Sequence, residues 1–245
     1  MAFPCDEVID IHSHILPGID DGPATLDQSL ALGRCYAELG IATVICTSHY
    51  IPGTAWAASA ETVREKMAAV QQCFADHGVA VTLLPGMEIA FHRKLAARLE
   101  RGELLALAGS DRYLVEPAFG DPADELLAML ENLSGRGYAI ILAHPERIPA
   151  IQEMGEKMAG FVLEHGVEIQ LNAGSLLGRF GDASRRTALG LIARGCVQYL
   201  GSDAHGALAR RPPDAGEWAE LERMVGGERL RAWCCVNPAG LVSGK

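Results

Sequence analysis

The stretch Gly137-Tyr138-Ala139-Ile140-Ile141-Leu142-Ala143-His144 decides the fold. Its glycine suits the left-handed backbone that ends a helix. The unbroken apolar run suits a parallel strand covered on both faces. An imidazole closes the strand. The same unit recurs along the chain: Gly40 precedes Ile41–His49, Gly78 precedes Val79–Ile89, Gly166 precedes Val167–Asn172 and Gly195 precedes Cys196–His205. Helical stripes lie upstream of the glycines. Leu32, Cys35, Tyr36 and Leu39 form one, and Val63, Met67, Val70 and Phe74 another. Asp121-Pro122 predicts an N-cap with proline at the first helical position, ahead of Leu126, Leu127, Leu130 and Leu133. With the apolar runs near Val8 and after Arg112, strands are expected to start near residues 8, 41, 79, 112, 138, 167 and 196. The spacing is that of βα units, so a parallel α/β sheet closing into a barrel is expected. No linker or shift in composition interrupts the chain, and residues 1–245 read as one domain. Thr54–Glu61, rich in small residues, reads as an exposed loop leading into a helix.

Composition narrows the function. The chain has 245 residues, 49% of them apolar, enough for a full core. With 21 Lys+Arg against 31 Asp+Glu the net charge is -10, which disfavours nucleic acid as a partner. It leaves open a phosphate-handling enzyme whose positive charge comes from bound metal. No apolar run approaches the ~20 residues of a membrane span, and Met1 to Val8 has neither the basic nor the apolar region of a signal peptide. Cys5, Cys35, Cys46, Cys73, Cys196, Cys234 and Cys235 are odd in number with no C-x-x-C, so free thiols and a cytoplasmic location are expected.

The strand ends carry the chemistry. His12 and His14 close the first strand, His49 the second, His144 the fifth, and Asp203 and His205 the seventh; Glu88 and Glu116 follow the third and fourth. Asn172 ends the sixth, and Asp20-Asp21 lies in the loop after the first. Strand residues two apart share a face, so His12 and His14 can meet one ion, as can Asp203 and His205. A single strand-end histidine is more often structural, and Asp20-Asp21-Gly22 alone is an ordinary turn. The recurrence at one end of nearly every strand carries the reading. Imidazole with carboxylate suits zinc, manganese or iron, and so many candidate ligands exceed what one ion takes. Arg147 beside such a cluster suits an anionic substrate, with Arg210 and Arg211 as further cations. His77, His92 and His165 read as surface residues.

With these residues in place, the chain resembles the PHP (polymerase and histidinol phosphatase) superfamily. Within it, the nearest resemblance is to bacterial metal-dependent protein tyrosine phosphatases of capsule and exopolysaccharide systems. The segment from His12 to Gly22 and the run Ala143-His144-Pro145-Glu146-Arg147 are the specific parts. The resemblance implies a distorted (β/α)7 barrel with its active site at the C-terminal strand ends. It implies two or three divalent ions, manganese first, with iron, cobalt or zinc as alternatives. His12, His14, Glu88 and Asp203 would hold one ion; Glu88 would bridge to a second with Glu116 and His144; Asp21, His49 and His205 would take a third. Arg147, as a catalytic residue, and Arg211 would contact phosphate. The implied reaction is phosphomonoester hydrolysis by metal-bound hydroxide. The implied partner is the phosphotyrosine-bearing tail of a tyrosine autokinase, with no nucleic acid and no membrane insertion. Tyr50 stands where many relatives carry a basic residue; Tyr50, Phe91 and Phe119 are candidates to stack on a phenyl ring. Rival readings are a histidinol-phosphate or other small-molecule phosphatase, an exonuclease, and a non-catalytic metal-dependent regulatory binding protein.

Overall fold

The computed structural model describes residues 7–243. Its strands are β1 (Val8–Ser13), β2 (Ile41–Cys46), β3 (His49–Tyr50), β4 (Thr82–Pro85), β5 (Glu88–Ala90), β6 (Arg112–Glu116), β7 (Ala139–Ala143), β8 (Glu168–Asn172) and β9 (Tyr199–Gly201). They form two parallel sheets, of order β1-β2-β4 and β3-β5-β6-β7-β8-β9. β2 and β3 are halves of one expected strand, broken at Thr47-Ser48. β4 and β5 are halves of another, broken at Gly86-Met87. Hydrogen bonds cross the breaks: Thr47 N donates to Ser13 O at 2.8 Å, and Glu88 N to Ser48 O at 3.2 Å. Past β9, Asp203 N donates to His12 O and His14 N to Ala204 O, both at 2.9 Å. These contacts bring the last strand back to the first, so the α/β fold is a ring of parallel strands with two split staves, a distorted barrel.

All five glycines of the recurring unit, at 40, 78, 137, 166 and 195, have φ between 63° and 83°. The strands start later than expected at two of them. Val79 N donates to Phe74 O and Cys196 N to Leu191 O, so three residues complete each helix-to-strand turn before pairing begins. Asp121 does not cap the next helix, Ala123–Gly135. Pro122 holds the cap position, and the Asp121 carboxylate accepts from Ala118 N at 2.9 Å. The loop expected from Thr54 gives way to the helix Ala60–Asp76, whose cap is the Ser59 hydroxyl.

The larger core packs helices against the sheet. A smaller cluster includes Ile9, Ile11, Ile45, Leu114, Ile141 and Tyr199. These come from strands that are not all neighbours, as only the inside of a curved sheet allows. The helix Leu26–Glu38 lies close to Ala60–Asp76 because Gly33 has no side chain: a Cβ there would sit 2.2 Å from Cζ of the fully buried Phe74. Gly33→Ala is therefore expected to cost about 1–3 kcal/mol of stability, read as a lower denaturation midpoint.

Cys35, Cys46, Cys73, Cys196 and Cys234 are free. Cys235 is disulfide-bonded, against the expectation of free thiols throughout; spacing along a chain does not reveal which sulfurs a fold brings together. Cys5 lies outside the described residues. Among those residues, no helix is long and apolar enough to cross a membrane.

Candidate metal centre

Because every strand pairing is parallel, the C-terminal ends open on one side of the ring. The two breaks deliver ligands there. β3 begins at His49 and β5 at Glu88, and these two residues are register partners. Glu116 ends β6, and His144 follows β7. His144 has φ 28° and Asp203 φ 52°; Arg210, at 48°, shares this left-handed conformation. Such backbone costs about 1–3 kcal/mol per non-glycine residue and concentrates at functional sites.

The nine residues expected as metal ligands come together. Glu88, fully buried, is the hub. Its Oε1 lies 2.9 Å from His144 Nε2 and 3.3 Å from His12 Nε2. Its Oε2 lies 3.2 Å from His14 Nε2 and 3.0 Å from His49 Nδ1. Asp203 Oδ1 is 3.6 Å from His12 Nε2 and 3.4 Å from His14 Nε2. Glu116 stands 3.6 Å from His49 and 3.7 Å from His144. Asp21 Oδ1 is 3.1 Å from His205 Nε2 and 3.6 Å from His49 Nε2. Among the described residues, four groups are spaced to hold an ion: His12, His14 and Asp203; His12, Glu88 and His144; His49, Glu88 and Glu116; and His14, Asp21, His49 and His205.

The donor chemistry fits divalent cations. His12 Nδ1 lies 2.8 Å from the Gln170 side-chain oxygen, His14 Nδ1 2.9 Å from Asp20 Oδ2, and His205 Nδ1 2.8 Å from the Asp203 carbonyl. Each partner is an acceptor, so each Nδ1 carries the proton and each Nε2 presents its lone pair to the centre. The lone pairs of His12 and His14 then face each other across 3.3 Å. Among the described residues, buried His144 Nδ1 has no hydrogen-bond partner. Lone pairs and carboxylates aimed at one another in a buried site are costly unless a cation lies among them. Gln170→Ala should therefore weaken metal binding about 10–100-fold while the ligands remain, measurable by titration of the metal-stripped protein.

Burial opposes charge on His12, His14 and His49, but the carboxylates around them raise all three, so these imidazoles draw protons wherever a metal cation does not supply the positive charge. Burial and the charge of Glu88 push the Glu116 carboxyl up to about 8, so the two acids resist ionising together without added positive charge. Burial opposes ionisation of Glu88 too, but His12, His49 and His14 hold it well below the usual range. Burial likewise opposes Asp203, which His14, His12 and His144 hold low. Asp21 is lowered to about 2: burial acts against this, and His205 outweighs it. Burial depresses His144 and His205, keeping their imidazoles neutral and able to ligate.

Arg147 Nη1 donates to Asp203 Oδ2 at 2.8 Å, and its guanidinium lies 4.2 Å from the Phe180 ring centre. The structure does not bring Arg211 to the centre. Its guanidinium donates to Glu217 and Asp214 at 2.7 and 2.8 Å, around the capping box of helix Ala215–Val225. Arg210 stands there instead, donating to Asp203 Oδ2 at 2.7 Å and to Asp21 Oδ2 at 3.4 Å. Left-handed φ at Arg210 turns the loop so that adjacent arginines diverge. Sequence reading also missed Gln170, Phe180 and Glu146. Glu146 is buried, accepts from Asn172 N at 3.0 Å and Ser175 Oγ at 2.6 Å, and joins the loops after β7 and β8. A polar Gln170 inside an apolar strand run was the available signal.

Residues 8–243 match the family described as "Capsular polysaccharide synthesis, CpsB/CapC". The chain is 29% identical to the tyrosine-protein phosphatase YwqE of Bacillus subtilis over 221 residues, covering 90% of this chain and 86% of the relative. It is 25% identical to the tyrosine-protein phosphatase CpsB of Streptococcus pneumoniae over 240 residues, covering 96% and 98%. A crystal structure from work on these two metal-dependent tyrosine phosphatases superposes with a TM-score of 0.87 at 28% identity, covering 97% of this chain and 95% of the other. A histidinol phosphate phosphatase from Lactococcus lactis shares the fold, with a TM-score of 0.57 at 11% identity over 91% and 93% of the chains.

Proposed function

The chain belongs to the capsular polysaccharide synthesis family CpsB/CapC, and on that premise we propose that it is a metal-dependent protein tyrosine phosphatase. The observation that carries the reading is Glu88, a buried carboxylate with four imidazole nitrogens within 3.3 Å. His12, His14, Asp21, His49, Glu88, Glu116, His144, Asp203 and His205 would hold two or three divalent ions, manganese foremost. Such ions supply an activated water near neutral pH and positive charge for the phosphoryl oxygens. Hydrolysis breaks the bond from phosphorus to the phenolic oxygen and forms one to a water oxygen.

The protein's own part is orientation and charge. Gln170, Asp20 and the Asp203 carbonyl fix three histidine tautomers. Arg147 and Arg210 are held by Asp203 at the edge of the centre, and their remaining N–H groups suit phosphoryl oxygens. We assign phosphate contact to Arg147 and Arg210; Arg211, tied to Glu217, keeps the loop in place. The substrate class is a phosphotyrosine protein, the tail of a tyrosine autokinase governing polysaccharide synthesis. The test is phosphate release from a phosphotyrosine peptide, from histidinol phosphate and nucleotide release from single-stranded DNA. Turnover highest on the peptide is expected. Preference for histidinol phosphate or DNA would replace this reading, and metal binding without turnover of any of the three would favour a regulatory binding protein.

A further inference from the structure

Two large aromatic side chains stay at the surface although burial would stabilise them by kilocalories. Trp56 is 36% exposed and Phe119 50% exposed. Each lies against a member of the centre. The Trp56 ring stacks on His49, with centroids 5.5 Å apart and planes 7° from parallel. Phe119 lies 5.5 Å from the Arg147 guanidinium carbon. His49 in turn reaches Glu88 at 3.0 Å and Arg147 reaches Asp203 at 2.8 Å. His14 Nε2 touches both carboxylates, at 3.2 and 3.4 Å. The two rings thus abut one centre from separate loops.

Both loops are built to present them. Ile51 N donates to Trp56 O at 2.7 Å and Trp56 N to Thr54 Oγ1 at 3.0 Å, and Tyr50 and Ala57 form an antiparallel bridge. Ala118 N donates to the Asp121 carboxylate at 2.9 Å, and Asp121 N to Ala118 O at 3.0 Å. Tyr50 is 7% exposed, with Arg98 over its ring, and Phe91 packs against the core. Both are less exposed than Trp56 and Phe119.

We propose that Trp56 and Phe119 are specificity-determining residues: they contact the phenyl ring of the phosphoester and select aryl over alkyl phosphomonoesters. The proposal rests on the phosphatase reading above. A flat ring gains offset or edge-to-face contact with another ring that a saturated ring of similar size does not. Phe119 beside Arg147 and Trp56 beside His49 are the exposed aromatic faces next to the groups proposed to surround the phosphoryl group.

The test compares phenyl phosphate with cyclohexyl phosphate in wild type, Trp56→Ala and Phe119→Ala. Their intrinsic reactivities differ, but that difference is common to all three proteins and cancels when ratios are compared. Each alanine variant is expected to lower the phenyl-to-cyclohexyl ratio of kcat/KM roughly three- to tenfold, and Trp56→Phe to retain most of it. An unchanged ratio in both alanine variants would overturn the proposal, as would an equal loss on both substrates. Calorimetric binding of phenylphosphonate and cyclohexylphosphonate gives the same comparison without turnover. Absence of turnover on both esters would then count against the phosphatase reading alone, and an aryl preference in binding that the variants do not lose would count against the rings alone.

Discussion

Glu88→Ala is expected to lose phosphatase activity by more than the roughly 10²–10³-fold that removal of one transition-state contact costs, together with most of the bound metal. The size follows from position. Both carboxylate oxygens are engaged, one by His12 and His144 and the other by His14 and His49. No other residue in the centre lies within ion-pair distance of four imidazoles. Removing it leaves the histidines facing a void and takes a carboxylate from two of the groups spaced to hold an ion. Metal analysis of the purified variant checks the cause: lost activity with full metal content would mean that Glu88 acts otherwise than as a ligand. Glu88→Gln keeps the shape and removes the charge, and it should fall with the alanine variant.

Arg147→Ala is expected to lower kcat about 10²–10³-fold with metal content close to wild type. Arg147 donates to Asp203 Oδ2, whereas it is Oδ1 that lies near His12 and His14. Phe180, whose ring centre lies 4.2 Å from the guanidinium carbon, holds the guanidinium plane. Arg147→Lys restores the charge without the planar fork or the stacking, so it should recover only a small part of the loss. Steady-state kinetics with metal analysis separate this outcome from that of Glu88→Ala. A parallel loss of metal from Arg147→Ala would show that the arginine supports the centre by holding Asp203.

The glycine-to-strand unit made the parallel fold legible, because the backbone need at Gly137 and the apolar run after it are local properties. The breaks within two staves were not legible. One of them falls at Gly86, where neighbouring elements crowd the backbone: a Cβ there would meet Ile45 Cγ2 at 2.9 Å and Leu107 Cδ2 at 3.0 Å. Those contacts cross elements far apart in sequence. The candidate ligands were legible because they share one structural address, the strand end. Gln170 and Asp20 were harder, since each acts through the histidine it orients. Arg210 and Arg211 differ by one position, and only the loop's conformation decides which faces Asp203. Trp56 lies in a loop whose small residues carried no chemical signal, and its meaning comes from the imidazole beneath it.

Bound divalent ions, held by the Glu88 cluster, are expected to be required for phosphate release. The direct measurement follows release from a phosphotyrosine peptide in the protein as purified, after chelation and dialysis, and after manganese is added back, with metal content determined at each stage. Activity that disappears with the metal and returns with it is the expected result. Undiminished activity in protein shown to be free of metal would contradict the account.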